Sequence, residues 1–149
     1  MGKTKEPFLK EGLTVYLEKI KRYTSLVWLE LDEVKNAASL PKEELKRKEA
    51  KIFLDKLKDT DIVIMLDERG EEFTSVQFAN EFQGIMNRGV SNLVFLIGGA
   101  FGFDETIEKR SQKKIGLSRL TFTHQMIRLL LAEQIYRVFT ILNHEKYHH

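Results

Sequence analysis

Apolar residues along the 149-residue chain follow two patterns, one with helical spacing and one without gaps. Phe8, Leu9, Leu13, Tyr16, Leu17 and Ile20 recur every three or four positions and are expected to form one buried stripe of a helix predicted over about residues 5–23. Thr4 is its candidate N-cap, and Pro7 is tolerated because first-turn amides have no acceptor within the helix. Residues 26–31 alternate, are rich in large apolar groups, and predict a strand; 32–40 is a polar loop. Residues 41–58 form a highly charged helix with a narrow stripe at Leu45, Ile52, Phe53 and Leu57, which places it on the surface. Residues 62–66 and 93–97 are continuous apolar runs, the pattern of parallel strands covered on both faces. A helix begins near Thr74 or Ser75, where Thr74 and Gln77 match a capping box. It carries Phe78, Phe82, Ile85 and Met86 and stops before Gly89. A weaker helix at roughly 104–114, a loop at 115–118 and a short strand at 120–122 follow. The last helix, 125–142, buries Ile127, Leu130, Leu131, Ile135, Val138 and Phe139 and leads into a polar tail rich in His. Strands alternating with helices predict an α/β fold, a mostly parallel sheet flanked by helices, as a single domain over residues 1–149.

Composition narrows the classes. The length suits one domain with a real core, and ten Phe in a chain 42% hydrophobic exclude a disordered protein. No apolar run approaches the roughly eighteen residues of a membrane helix, and no basic stretch followed by an apolar core opens the chain. Cysteine is absent, which removes disulfide and thiolate chemistry and fits the cytoplasm. The net charge of +2 permits an RNA-binding face without demanding one.

Open α/β sheets bind ligands beyond the carboxyl ends of their strands, which points to residues 66–70, 97–102 and 115–123. Gly98, Gly99 and Gly102 let backbone come close to a ligand, although a tight strand-to-helix turn would look the same. The loop is neither the dinucleotide fingerprint nor a P-loop. His124 lies one helical turn before Arg128. His144 and His148 lack a third metal ligand, and a solvated tail explains them equally. Ser111 and Ser118 lack the context of a nucleophile elbow. Arg128, Glu133, Tyr136 and Arg137 interrupt an otherwise apolar helix, and ion pairing within a dimer or against the sheet would account for them.

Taken together in order, several segments resemble the bacterial large-subunit rRNA pseudouridine-N3 methyltransferases, a family of the SPOUT class. They are Gly2-Lys3-Thr4-Lys5-Glu6, Ile64-Met65-Leu66-Asp67-Glu68-Arg69-Gly70, and Phe95-Leu96-Ile97-Gly98-Gly99-Ala100-Phe101-Gly102. The run from Leu117 through Thr121-Phe122-Thr123-His124 to Arg128 continues the match, which ends with Glu133-Gln134-Ile135-Tyr136-Arg137 and Asn143 to His148. The resemblance spans essentially the whole chain, and the combination of motifs is far more specific than any one of them.

The resemblance implies a parallel sheet with a C-terminal trefoil knot that forms the cofactor pocket. S-adenosylmethionine would be held by Leu66, Gly98, Gly99, Leu117, Ser118, Arg119, Leu120, Thr121 and Phe122. His124 or His148 would assist loss of the N3 proton, and Arg128 would stabilise developing charge or hold a phosphate. Arg137 and Tyr147 would contact substrate. The family further implies a homodimer acting on 23S rRNA in the assembled ribosome, in the cytoplasm, with no metal, membrane or DNA. Family members normally begin with an apolar strand before Gly-Lys-Thr, so either the start of this chain was assigned too late or its sheet lacks that first strand. Two other readings stay open: a non-catalytic RNA-binding or ribosome-assembly factor of the same fold, and a SPOUT methyltransferase with another RNA target. A small-molecule hydrolase comes last, because no nucleophile–base pair can be named.

Overall fold

Three parallel strands organise the chain in a computed structural model that describes residues 1–147. The strand β1 (Ile62–Glu72) lies between β2 (Leu93–Ile97) and β3 (Lys113–Gly116). Ile62 to Leu66 pair in register with Leu93 to Ile97, and Ile64 to Leu66 with Lys113 to Ile115. Because successive strand side chains point to opposite faces, Ile64 enters one core and Val63 and Met65 the other. Ile64 packs with Phe78, Phe82, Ile115, Leu131 and Phe139, under α1 (Pro7–Ile20), α3 (Ser75–Met86) and α5 (His124–Leu142). Val63 and Met65 pack with Ala50, Phe53, Leu96, Phe103 and Ile107, under α2 (Lys42–Leu54) and α4 (Glu105–Arg110). Layers on both faces explain why the central runs are apolar without alternation.

Several boundaries differ from the sequence reading. The third strand is β3, not residues 120–122, and α4 is only six residues long. Lys113 and Lys114 look polar because their ammonium groups reach carboxylates, Glu71 and Glu81 for Lys113 and Glu108 for Lys114. Helix α1 is capped at Glu6 rather than Thr4, since the Thr4 hydroxyl donates to Glu30 and accepts from Arg128. Of its expected buried stripe Leu9, Leu13 and Ile20 are buried, but Phe8 in the first turn is exposed. The capping box at Thr74 and Gln77 is present. Residues 26–31 form no strand. Val27 and Leu29 are exposed while Leu26 and Trp28 are partly covered, so the expected alternation is there. Between this segment and β2 runs a mostly apolar groove of about 530 Å³, and the Trp28 indole N–H buried there has no partner among the described residues. A strand needs a hydrogen-bonded neighbour, and among the described residues the only backbone–backbone bond of the segment is the 2.8 Å one from the Gly2 amide to the Leu31 carbonyl.

After Leu66 the ladder breaks. Leu66 and Glu71 both pair with Ile115, so residues 67–70 swing out and return. Gly70 then meets the backbone of Ile115 and Gly116 so closely that a Cβ would sit 2.3 Å from a carbonyl carbon.

Candidate functional site

The carboxyl ends of all three strands open on one cavity of about 940 Å³, within the range of small-molecule sites. Leu66 comes from β1, Gly98 and Gly99 from the turn after β2, and Leu117, Ser118, Leu120, Thr121 and Phe122 from the loop after β3; all line it, as does His124. The glycine turn lies flat because of what is behind it. A Cβ on Gly99 would stand 2.6 Å from a carboxylate oxygen of Glu49, a residue of α2 that burial holds above the usual carboxylate range. Packing from the rear therefore makes the turn a smooth wall for the cavity.

The loop after β3 is tied to the excursion of β1. The Thr121 hydroxyl donates to Glu68 at 2.9 Å, and Arg119 Nε donates to Glu72 at 2.8 Å. Arg119 thus directs its side chain to Glu72 and does not line the cavity. Ser118 Oγ accepts from the Leu120 amide at 2.9 Å, which leaves its own O–H for a ligand. Such a wall of glycine backbone, loop amides and apolar side chains suits a group with an aromatic ring and polar edges.

His124 opens α5 immediately after its N-cap Thr123. Burial, then the nearby charges of Arg128 and the terminal ammonium, push its imidazole below the ordinary value of 6.5. The shift favours the neutral imidazole, the form able to accept a proton. Arg128 is buried and faces away from the cavity. Its guanidinium donates to Thr4 Oγ1 at 2.8 Å and to the carbonyls of Met1 at 2.5 Å and Gly2 at 2.8 Å, with Glu30 at 3.5 Å. These bonds clamp the amino-terminal segment and leave Arg128 outside the cavity lining of its own chain. Lys5 of that segment donates its amide to Gln125 at 2.7 Å, beside His124.

Arg137 and Tyr147 lie elsewhere. Arg137 is thirteen residues beyond His124 on α5, about 20 Å at the rise of a helix. It pairs with Glu133 at 2.5 Å and stands 4.8 Å over the Tyr147 ring, whose hydroxyl donates to Glu133 at 3.2 Å. The Tyr147 hydroxyl also lies 3.4 Å from that of Tyr16, and this contact and burial raise its pKa. One chain therefore does not bring these residues to its own cavity. His148 falls outside the described residues.

Sequence reasoning missed Phe8, Lys42, Lys46 and Phe101, which also line the cavity. Lys42 and Lys46 belong to a helix whose charge reads as ordinary solvation, so their placement had no local signal. Phe101 stood in the glycine motif and was passed over.

A parallel three-layer α/β domain with its ligand cavity where three strands end matches a known class. The family model described as "Predicted SPOUT methyltransferase" matches residues 1–148, and the chain belongs to that family. A protein named ribosomal RNA large subunit methyltransferase H from Cytophaga hutchinsonii is 46% identical over 149 residues, covering 100% of this chain and 96% of the relative. Proteins of the same name from Flavobacterium johnsoniae and Trichlorobacter lovleyi are 45% and 43% identical, each over 100% of this chain and 95% of the relative. No helix among the described residues is long and apolar enough to cross a membrane.

Proposed function

We propose that this protein methylates N3 of a pseudouridine in large-subunit 23S rRNA on the assembled ribosome, with S-adenosylmethionine as donor. The observation that carries the reading is the single cavity that gathers the Gly98-Gly99 turn, the loop from Leu117 to Phe122 and His124. The names of its relatives, methyltransferases of large-subunit ribosomal RNA, support that substrate class.

Leu66, Gly98, Gly99, Leu117, Leu120 and Phe122 would hold the adenine, with amides of the loop and the Ser118 hydroxyl meeting its polar edges. Bound there, S-adenosylmethionine supplies an electrophilic methyl on a sulfonium. His124, whose neutral form is favoured by its surroundings, would take the proton from N3 and leave the nitrogen lone pair free to bond the methyl as the methyl–sulfur bond breaks and the sulfur keeps its electron pair; His148 is the other candidate for this role. Arg128 acts as a positioning residue by holding residues 1–5 against the start of α5. Fixing nucleophile and methyl in line supplies much of the acceleration.

We infer a homodimer, in which a second copy brings Arg137, Tyr147 and the tail to the cavity. The exposed Phe8 at the cavity, and the distance along α5 between His124 and Arg137, support it. The family's trefoil knot is consistent with the pressing of Gly70 on the Ile115–Gly116 backbone. Action on ribosomes places the protein in the cytoplasm.

The deciding experiment transfers labelled methyl from S-adenosylmethionine to ribosomes that lack the modification and identifies the labelled nucleoside. Label in N3-methylpseudouridine is expected. Label in another nucleoside would redirect the target, and cofactor binding without transfer to any ribosomal particle would favour the non-catalytic assembly factor.

A further inference from the structure

Phe101 and Phe103 leave one turn toward different environments. Phe103 is buried, with its ring centroid 5.8 Å from that of Phe53. Phe101 stands at the cavity with 49% of its surface exposed. The turn is tight: the Gly102 amide donates to the Gly99 carbonyl at 3.2 Å, and Gly102 takes φ of +73°. A phenyl on such a turn loses little conformational entropy when something covers it, and covering it is favourable.

Beside the ring stands a cation. Lys42, the first residue of α2, places its ammonium 5.6 Å from the Phe101 centroid. Lys42 makes no ion pair among the described residues; Lys46, one turn further, lines the same cavity and pairs with Glu43 at 3.4 Å. Glu6, Asp67, Glu68 and Glu108 also line the cavity; Asp67 and Glu68 accept from the Arg69 amide and the Thr121 hydroxyl, and Glu108 pairs with Lys114, while Lys42 alone is within cation–π distance of the Phe101 ring among the described residues. Lysine is depleted from the centres of protein interfaces. A ring paired with an ammonium instead fits a single-stranded nucleotide, whose base stacks and whose phosphate seeks a cation.

We propose that Phe101 and Lys42 form a nucleotide platform at the cavity, the ring stacking on an unpaired base next to the target and the ammonium pairing with its phosphate. The platform rests on the RNA-methyltransferase reading above and adds a site for a flanking nucleotide to it. Phe101 and Lys42 thereby contribute to holding the RNA rather than the methyl donor.

Co-sedimentation with ribosomes that lack the modification measures the platform without requiring turnover. Phe101→Ala is expected to weaken ribosome binding roughly ten-fold, as removal of one stacking ring does, and Phe101→Trp to retain it. Lys42→Ala is expected to reduce the slope of log affinity against log salt by about one. Calorimetric affinity for S-adenosylmethionine and the mass in solution stay at wild-type values in all three variants. Phe101→Ala binding ribosomes as tightly as wild type overturns the platform. Weakened cofactor binding or a change of mass also overturns it, assigning Phe101 to the cofactor wall or to a subunit contact. Wild-type protein that binds ribosomes in a Phe101-dependent way but transfers no methyl overturns the activity reading and leaves the platform standing.

Discussion

His124 gains its character from position more than from type. Burial and the neighbouring positive charges disfavour its protonated form, so its folded-state pKa lies below the ordinary 6.5. If neutral His124 accepts the N3 proton, kcat/KM falls on an acidic limb that lies below pH 6.5, and His124→Ala removes that limb with a rate loss of about 10²- to 10⁴-fold. A pH–rate profile checks both. An unchanged rate in the Ala variant would move the role to His148. The same shift predicts a stability effect. Between the folded pKa and 6.5 the unfolded chain binds more protons, so stability rises with pH there and is lost as pH falls. Gly70 tests packing at the residue scale. A Cβ 2.3 Å from the Ile115 carbonyl carbon cannot be accommodated by a side-chain rotation, because the obstacle is backbone. Gly70→Ala is expected to lower stability by more than about 2 kcal/mol, in line with overpacking of a rigid site, measurable by urea denaturation. An unchanged midpoint would mean that β1 and β3 separate more easily than their pairing implies.

At the scale of elements, the outer edge of β2 is the least finished part of the sheet. Its free side faces the apolar groove, with residues 26–31 on the far side and the Trp28 N–H without a partner among the described residues. The Met1 amino nitrogen donates to the Ile97 carbonyl at 3.0 Å, so residues added before Met1 would start at the end of β2 and lie along the groove. An extension of about five apolar, β-prone residues is expected to add a strand parallel to β2 and raise Tm by several degrees, read by calorimetry. No rise on extension would mean that the groove is too shallow to hold a strand. Elsewhere the elements were legible where local signals sufficed. The capping box at Thr74, the helical stripe of α1 and the apolar runs of β1 and β2 all lie within a few residues of what they determine. The third strand was misplaced because Lys113 and Lys114 look like surface residues until Glu71, Glu81 and Glu108, distant in the chain, are brought to them.

At the scale of the molecule, the separation of His124 from Arg137 and Tyr147 governs what one chain can do alone. If a second copy completes each cavity, two defective chains rescue each other. A His124→Ala chain mixed with a chain lacking residues 143–149 is expected to recover about a quarter of wild-type methyl transfer, as random pairing leaves half the dimers mixed with one intact site each. Each variant alone should be nearly inactive while still binding S-adenosylmethionine. No recovery after subunit exchange would place the tail in its own chain's site.

What the sequence determined by itself was local or cumulative. Apolar periodicity set the α/β class, the glycine turn marked one wall of the cavity, and the ordered run of motifs identified the family. Each depends on neighbours in the chain, on spacing, or on many positions together. The tertiary structure alone decided which polar groups are free to act. Arg128 and Thr4 are 124 residues apart, yet their bond removes one from the cavity and the other from helix capping. Lys42 reaches Phe101 only because α2 packs against the end of β2, with Glu49 behind Gly99. A charged side chain acts on whatever lies within a few ångströms of it, and that distance is set by folding rather than by its place in the chain.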